Sequence, residues 1–297
     1  MRPRTALLAA GLALALWTTG CAGSDTGTGP SPSAASAAAG AAWSPRSIAA
    51  NGAATCRTVA VAAGDIVNSV TTADRTGRLA QAQRPDVVLV LGDNQYDSGA
   101  LEEYRAKYDR TPWGALKTIT NPVPGNHEYL TAGAAGYFAY FGQPPPYYAY
   151  DAGCGWRGYA LNSETDISEQ TAWLRQDLAA HPRAPVLLSW HRPRFSSGVE
   201  HGGDPALQPF WDALAERRGI VLNGHEHHYE RFAPVGRVRE FVVGTGGTST
   251  YPFGAPAAGS EKRLTGAPGV LRLELVPDGY RWSFLTAAGA VGDSGRG

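Results

Sequence analysis

Short runs of apolar residues recur along the chain from about residue 58, and each is about as long as one β-strand. They are rich in Val, Leu and Ile, which is typical of strands buried on both faces. Helix-like segments separate several of them, and this alternation predicts an α/β fold. The predicted strands are Thr58–Ala63, Asp86–Leu91, Pro185–Trp190 and Ile220–Leu222, and the predicted helices are Ser168–Ala180, with Ser168 as its N-cap, and Pro205–Arg217.

The C-terminal part of the chain has a different pattern. Apolar runs at Arg239–Val243, Gly269–Val276 and Tyr280–Leu285 follow one another with few helix signals between them. Pro277-Asp278-Gly279 is a turn signal between the last two runs. This pattern predicts a second, more antiparallel sheet.

Polar residues follow several predicted strands directly, at turns that contain glycine. Ligands of α/β sheets collect at the carboxyl ends of the strands, so we expect these side chains to meet at one rim. Glycine lets the backbone turn sharply and approach a bound ion closely. The strand ends are Gly64-Asp65, Gly92-Asp93, Gly125-Asn126-His127, Trp190-His191 and Asn223-Gly224-His225.

The residue types at these ends fit a pair of metal ions. Two aspartates supply hard carboxylate oxygens, of which one can bridge two cations, and an asparagine supplies a neutral oxygen. Three histidines supply imidazole nitrogens, which suit Zn, Fe, Mn or Ni. No single one of these signals is specific, but five such segments in this order are hard to assemble by chance. The candidates are Asp65, Asp93, Asn126, His191, His225 and His227.

The ordered segments resemble those of the calcineurin-like metallophosphoesterases and, within that superfamily, of the purple acid phosphatase branch. The general superfamily opens with Asp-x-His, and this chain has Val67 at the histidine position. The purple branch instead uses a tyrosine three residues after the second aspartate, where this chain has Tyr96. The matching segments are Gly64-Asp65, Gly92-Asp93-Asn94-Gln95-Tyr96, Gly125-Asn126-His127-Glu128, His191-Arg192-Pro193 and Gly224-His225-Glu226-His227.

The resemblance implies two packed mixed β-sheets flanked by helices, in a four-layer α/β/β/α sandwich, and a dinuclear metal centre. One ion would be bound by Asp65, Tyr96 and His227, the other by Asn126, His191 and His225, with Asp93 bridging them. A tyrosine ligand indicates Fe(III) at the first site, with Fe, Zn or Mn at the second. If Tyr96 is an ordinary loop tyrosine, Zn or Mn would occupy both sites.

Two further histidines are candidate catalytic residues. The family pattern places His127 beside the metals, where it would donate a proton to the leaving group, hold the phosphate or merely orient a ligand. His201 lies in a loop where related phosphatases often carry a histidine that contacts substrate, and the alternative is an exposed loop histidine. Arg192 is either a phosphate ligand or a surface charge. Glu128 and His228 are interpreted as structural.

The N-terminal residues carry a secretory signal pattern. Arg2 and Arg4 precede an apolar run, Ala6–Trp17, that is too short for a transmembrane helix. Thr18-Thr19-Gly20-Cys21 resembles a bacterial lipobox, in which Cys21 would receive a lipid, although Thr18 replaces the usual Leu. An ordinary secretory signal is the alternative. We therefore expect a protein anchored to the outer face of the bacterial cell membrane, or else secreted.

These signals divide the chain into three parts. Residues 1–21 are the predicted signal peptide, 22–55 a flexible Ala/Gly/Ser/Pro linker, and 56–297 the catalytic domain. The domain contains Cys56 and Cys154. Export permits a disulfide between them, which we expect because unpaired thiols are a hazard in an oxidising compartment. The alternative is two separate buried thiols.

The charge balance excludes one class of function. The chain has 26 basic and 26 acidic residues, so nothing indicates an electrostatic nucleic-acid binder. The expected function is hydrolysis of phosphate monoesters, with a small phosphorylated substrate attacked by metal-activated hydroxide. The alternatives are a phosphodiesterase or nucleotide hydrolase using the same site, and a non-catalytic surface protein that binds a phosphorylated ligand. The complete ligand set counts against the last.

Overall fold

The computed structural model describes residues 43–49 and 55–297. The predicted signal peptide, Cys21 and most of the predicted linker lie outside these residues. Within the described ranges, no helix has both the length and the apolar character needed to cross a bilayer.

Among the residues that the structure describes, thirteen strands form two mixed sheets. The first sheet has the order β13-β12-β11-β1-β2-β3, and the second has the order β10-β8-β9-β7-β6-β5-β4. The strands are β1 (Thr58–Ala63), β2 (Val87–Leu91), β3 (Thr120–Val123), β4 (Tyr148–Asp151), β5 (Arg157–Ala160), β6 (Val186–Ser189), β7 (Arg218–Asn223), β8 (Tyr229–Phe232), β9 (Arg237–Val243), β10 (Ser260–Leu264), β11 (Gly269–Val276), β12 (Gly279–Thr286) and β13 (Val291–Arg296).

Helices cover the outer faces of the two sheets. They are α1 (Val70–Ala82), α2 (Leu101–Ala106), α3 (Pro112–Ala115), α4 (Ala135–Phe141), α5 (Ile167–Ala180) and α6 (Gln208–Ala213), with short 3-10 turns between them. One core lies between the sheets and joins Leu89 of β2 to Leu222 of β7. A second core packs the first sheet on α1 to α4, and a third packs the other sheet on α5 and α6. The predicted four-layer α/β/β/α sandwich is confirmed.

Parallel pairing runs through the centre of each sheet. In the first sheet β1, β2 and β3 are parallel, and in the second sheet β5, β6, β7 and β9 are parallel. Their central strands are fully buried, which explains the continuous apolar runs of the sequence. The carboxyl ends of parallel strands lie at one edge of a sheet, so the turns after them are neighbours.

The prediction that the C-terminal strands together form a second, more antiparallel sheet is wrong. The hairpin of β11 and β12 forms as the Pro277-Asp278-Gly279 signal indicates, but β11 pairs antiparallel with β1 and so extends the first sheet. Strand β9 instead runs parallel to β7 in the second sheet. Periodicity reports which residues form strands, whereas the choice of neighbour depends on long-range packing.

Two helix boundaries also differ from the prediction. Helix α5 begins at Ile167, and its N-cap is Asp166 rather than Ser168, because Asp166 Oδ1 accepts hydrogen bonds from the N–H groups of Ser168 and Glu169. The predicted helix Pro205–Arg217 is a 3-10 turn followed by the short helix α6.

Residues 43–49, which the sequence assigns to the linker, pack on the domain. Arg46 N–H donates to Asn121 Oδ1 at 2.7 Å, and Asn121 Nδ2 donates back to Arg46 O at 2.9 Å. Ile48 N–H donates to Asp151 O at the exposed edge of β4. The ring of Trp43 meets Tyr148 edge-on, with centroids 4.8 Å apart. The folded part therefore includes this stretch.

A disulfide joins Cys56, which precedes β1, to Cys154 in the turn between β4 and β5. The expected bond is therefore present. It links the first sheet to the second across 98 residues of sequence.

Removing this disulfide should destabilise the domain. Because the bond closes a long loop, the variant C56S/C154S should lose about 2–5 kcal/mol of unfolding free energy, measured by urea denaturation. Reductant should lower the stability of the parent chain by a similar amount and leave the variant unchanged. Equal stability of variant and parent under oxidising conditions would contradict this expectation.

Candidate metal centre

The strand ends singled out by the sequence meet where the two sheets adjoin. From the first sheet, Asp65 follows β1, Asp93 follows β2 and Asn126 follows β3. From the second sheet, His191 follows β6, and the turn after β7 carries His225 and His227. Tyr96 lies in the loop after Asp93. These seven side chains are called the cage below, and all except that of the half-buried Asn126 are buried.

The first group of cage residues surrounds the phenol oxygen of Tyr96. It lies 3.0 Å from Asp65 Oδ1, 3.1 Å from Asp93 Oδ2 and 3.3 Å from His227 Nε2. His227 Nε2 is also 3.3 Å from Asp65 Oδ1. These four side chains therefore point at one small volume.

The second group surrounds the Nε2 atom of His191. It lies 3.2 Å from Asn126 Oδ1, 3.2 Å from His225 Nδ1 and 3.4 Å from Asp93 Oδ2. The Asp93 oxygen is the same one that contacts Tyr96. Asp93, His191 and His225 also form the cluster of acidic and histidine side chains, among the described residues, that is compact enough to hold an ion. One carboxylate thus belongs to both groups.

The donor set fits metal ions. His191 Nδ1 contacts Leu91 O at 2.8 Å and His227 Nδ1 contacts Ser249 O at 2.9 Å. A carbonyl oxygen only accepts, so each Nδ1 carries a proton and each Nε2 is the ring nitrogen that can bind an ion in the cage. Nitrogen and oxygen atoms that can bind a cation therefore converge in one buried space.

The charges of the cage shift the pKa values of its members. Burial raises the pKa of Asp93, but His191 and His127 outweigh burial and hold it well below its usual range. Burial lowers the pKa of His191, but Asp93 more than offsets this and raises it to about 10. Burial, Asp65 and Asp93 all raise the pKa of Tyr96. Burial, His191 and Arg192 lower the pKa of His225. The carboxylates therefore favour positive charge on His191, whereas the site disfavours a proton on His225.

The two candidate catalytic histidines lie at the rim of the cage. His127 N–H donates to Asp93 Oδ1 at 2.9 Å, while its Nδ1 contacts Asp97 O at 2.6 Å and its Nε2 lies 3.9 Å from Asp93 Oδ2. The exposed His201 ring stacks on His225, with centroids 4.2 Å apart and an angle of 24°. Both histidines are beside the cage and accessible from solvent.

A family model described as calcineurin-like phosphoesterase matches residues 60–229, more than half of the chain. The chain belongs to the calcineurin-like phosphoesterase family. The matched stretch contains every residue of the cage and both rim histidines. No curated protein matches the sequence.

Solved structures share the fold of this phosphoesterase at low sequence identity. A purple acid phosphatase from yellow lupin (Lupinus luteus) seeds has a TM-score of 0.68 and 18% identity, over 86% of this chain and 55% of the lupin chain. GAP50 from Plasmodium has a TM-score of 0.65 and 14% identity, over 81% and 88% of the two chains. A dimetal phosphatase from Danio rerio has a TM-score of 0.56 and 13% identity, over 80% and 98%.

The backbone of the phosphoesterase is strained where it carries its cage residues. Asp65, Asp93 and His225 have φ angles of 58°, 47° and 68°, in the left-handed region that non-glycine residues rarely adopt. Each such residue costs about 1–3 kcal/mol. The glycine predicted to permit close approach does so at Gly125, where a Cβ would lie 2.3 Å from Asp93 Oδ1.

Glu128 holds the two neighbouring loops together. One carboxylate oxygen accepts from the N–H groups of Asp93 and Gly125, and the other accepts from Asn94, Gln95 and the hydroxyl of Tyr104. Burial and the nearby Asp93 raise the pKa of Glu128 to about 8, and the N–H donors oppose this rise. Glu128 is structural, as interpreted from the sequence.

Arg192 is neither free nor a plain surface charge. Its guanidinium forms an ion pair with Glu164, with Nε 2.9 Å from Oε1, and its Nη1 lies 3.2 Å from His225 Nε2. The pair fixes a cation next to the cage. The sequence offered no signal for Glu164, because nothing in the local pattern links it to Arg192.

Sequence reasoning also missed the loop after β9. Its Ser249 carbonyl orients His227, and Tyr251 stacks on the His227 ring with centroids 3.9 Å apart. The signal was present, since Gly244 follows a strand end and a Cβ there would lie 2.7 Å from Asp65 Oδ2.

Replacing Glu128 should loosen the cage. In E128Q the amide NH2 faces backbone N–H donors, so we expect the free energy of unfolding to fall by about 2–4 kcal/mol and metal affinity to weaken. Urea denaturation and metal titration measure both effects. E102Q, which alters an exposed glutamate of α2, is the matched control. Parent-like stability of E128Q would show that the five hydrogen bonds contribute little.

Proposed function

We propose that this phosphoesterase is an exported phosphatase that hydrolyses phosphate monoesters at a two-metal centre. The observation that carries the proposal is the division of the cage into two groups that share one oxygen of Asp93. The N-terminal signal pattern supports export, which is checked by recovering the activity outside the cytoplasm.

Asp65, Tyr96 and His227 would hold one ion and Asn126, His191 and His225 the other. When bound, two such cations bind phosphate oxygens and activate water for in-line attack. The hydrogen bonds of His191 and His227 to backbone carbonyls fix both rings in the orientation that ligation requires.

The rim residues act on the substrate. Asp97 O accepts a hydrogen bond from Nδ1 of His127, so Nε2 is the ring nitrogen that faces the cage. There it donates to a phosphate oxygen or to the leaving oxygen. His201 presents a second imidazole from the other side of the cage, and the Arg192–Glu164 pair places a fixed cation next to His225.

Two observations favour a phosphomonoesterase of the purple type. Tyr96 contacts Asp65, Asp93 and His227 as a ligand tyrosine must. The lupin purple acid phosphatase shares the fold, although this chain spans only 55% of its length. We therefore infer Fe(III) in the Tyr96 group, with Fe, Zn or Mn in the other.

A non-catalytic role is the second candidate. GAP50, which has the same fold, is described as the anchor in the inner membrane complex of Plasmodium. A surface protein that binds a phosphorylated ligand would need no turnover. The complete cage favours the enzyme.

Turnover should depend on the metals and on Asp93. The parent should hydrolyse 4-nitrophenyl phosphate faster than bis(4-nitrophenyl) phosphate, lose activity with chelator and recover it when metal is restored. D93A removes the shared carboxylate and should lower kcat/KM at least about a thousandfold, because both metal groups lose a ligand.

H181A, which changes a half-buried histidine at the end of α5, is the control and should keep parent-like activity. Faster hydrolysis of the diester would favour the phosphodiesterase alternative. A metal-loaded parent that turns over neither substrate would favour the binding protein.

A visible absorption band should depend on Tyr96. A phenolate bound to Fe(III) absorbs visible light, so the iron-loaded parent should be coloured and Y96F should lose the band. Metal analysis of both proteins shows whether iron is still bound. Y251F, which changes the tyrosine stacked on His227, should keep the band. A colourless, active parent with Zn or Mn in both sites would overturn the iron assignment.

A further inference from the structure

A buried acidic cluster lies behind the cage and takes no part in it. Its members, Glu226, His228 and Glu230, have no exposed surface. Glu226 stands between His225 and His227 in sequence, but its side chain contacts the loop that carries His201 rather than the cage. Burying a carboxylate is costly unless hydrogen bonds or ion pairs compensate for the lost hydration.

Glu226 anchors the far end of that loop. Its Oε1 accepts from the N–H of His201 at 3.0 Å and from the N–H of Gly202. The carboxylate fits because the loop has a glycine at residue 198, where a Cβ would lie 2.1 Å from Glu226 Oε2.

Glu230 anchors the near end of the loop. It accepts from the N–H of Ser197 at 2.8 Å, from the Ser197 hydroxyl, and from Ser260 Oγ at 2.6 Å. His228 lies between the two carboxylates, with Nδ1 3.9 Å from Glu226 Oε2 and Nε2 3.4 Å from Glu230 Oε2. The segment 225–230 therefore supplies two cage histidines and also Glu226 and Glu230, which bind the two ends of the loop that carries His201.

This arrangement determines where the exposed His201 lies. An exposed loop side chain normally samples many positions, and ordering it costs entropy. Here the backbone N–H of His201 itself is bonded to Glu226, and the His201 ring stacks on His225. The position of the ring is thus tied to the cage through the chain.

We propose that Glu226 is a positioning residue that holds His201 over the cage, where His201 assists the departure of the leaving group. The inference rests on the proposed phosphatase function. It concerns the acceptor oxygen of Glu226, whose hydrogen bonds fix the loop.

A double-mutant cycle tests the coupling. E226M keeps the side-chain length and removes the acceptor, and H201A removes the ring. With phenyl phosphate, each should lower kcat/KM about tenfold, and E226M/H201A should be no slower than H201A. The loss should be smaller with 4-nitrophenyl phosphate, whose leaving group needs little protonation. Should E226M fail to fold, G198A, which displaces the carboxylate, takes its place.

Two further variants separate positioning from general damage. E226Q keeps an acceptor oxygen and should stay within about threefold of the parent. E240M removes another fully buried carboxylate, which contacts Arg194 N–H, and should also stay within about threefold. Every variant should retain two metal ions.

Several results would overturn the proposal. These are independent, multiplicative effects of E226M and H201A, parent-like turnover of either variant, and equal losses in E226M and E226Q. Hydrogen exchange supplies a readout without turnover: amides of residues 197–203 should exchange faster in E226M than in E226Q or the parent. If these amides exchange at the parent's rate in E226M, Glu226 does not anchor the loop. A parent without turnover rejects the phosphatase and leaves this exchange result standing.

Discussion

The structure depends on a buried cluster of carboxylate and imidazole groups whose mutual repulsion is relieved by positive charge. Asp65 and Asp93 are shielded from water, and imidazole nitrogens of His191 and His227 face them. Two anionic groups and several lone pairs in one dry space repel each other strongly. A pair of bound cations would turn this repulsion into attraction, and the surrounding loops hold the groups in place for it.

The backbone is strained beside the cage, and neighbouring hydrogen bonds and packing compensate for this strain. Left-handed φ angles at Asp65, Asp93 and His225 would be unfavourable in isolation. The five hydrogen bonds of Glu128 hold the loops after β2 and β3, and glycines leave room where loops meet. The rigid parallel strands beneath supply fixed points from which the loops extend. Strain is tolerable because two large cores support it.

The rim is organised separately from the cage. His127 is fixed through Asp97 and Asp93, whereas His201 is carried by a loop whose ends bind Glu226 and Glu230. In the proposed reaction the cage would hold the metal ions, and the two rim histidines would contact the substrate. Such a division lets one family keep its metal centre while its substrates change.

The sequence by itself determined several of the buried strands, the polar residues after them and the candidate ligands, because buried strands and glycine turns leave local patterns. It located Asp65, Asp93 and His225 at one rim without specifying any distance. Only the tertiary structure placed β11 beside β1, paired Arg192 with Glu164 and brought Tyr251 onto His227. These contacts join residues far apart in the chain, and their energies depend on which surfaces meet in space. Local sequence patterns therefore do not show which of these distant residues will be in contact.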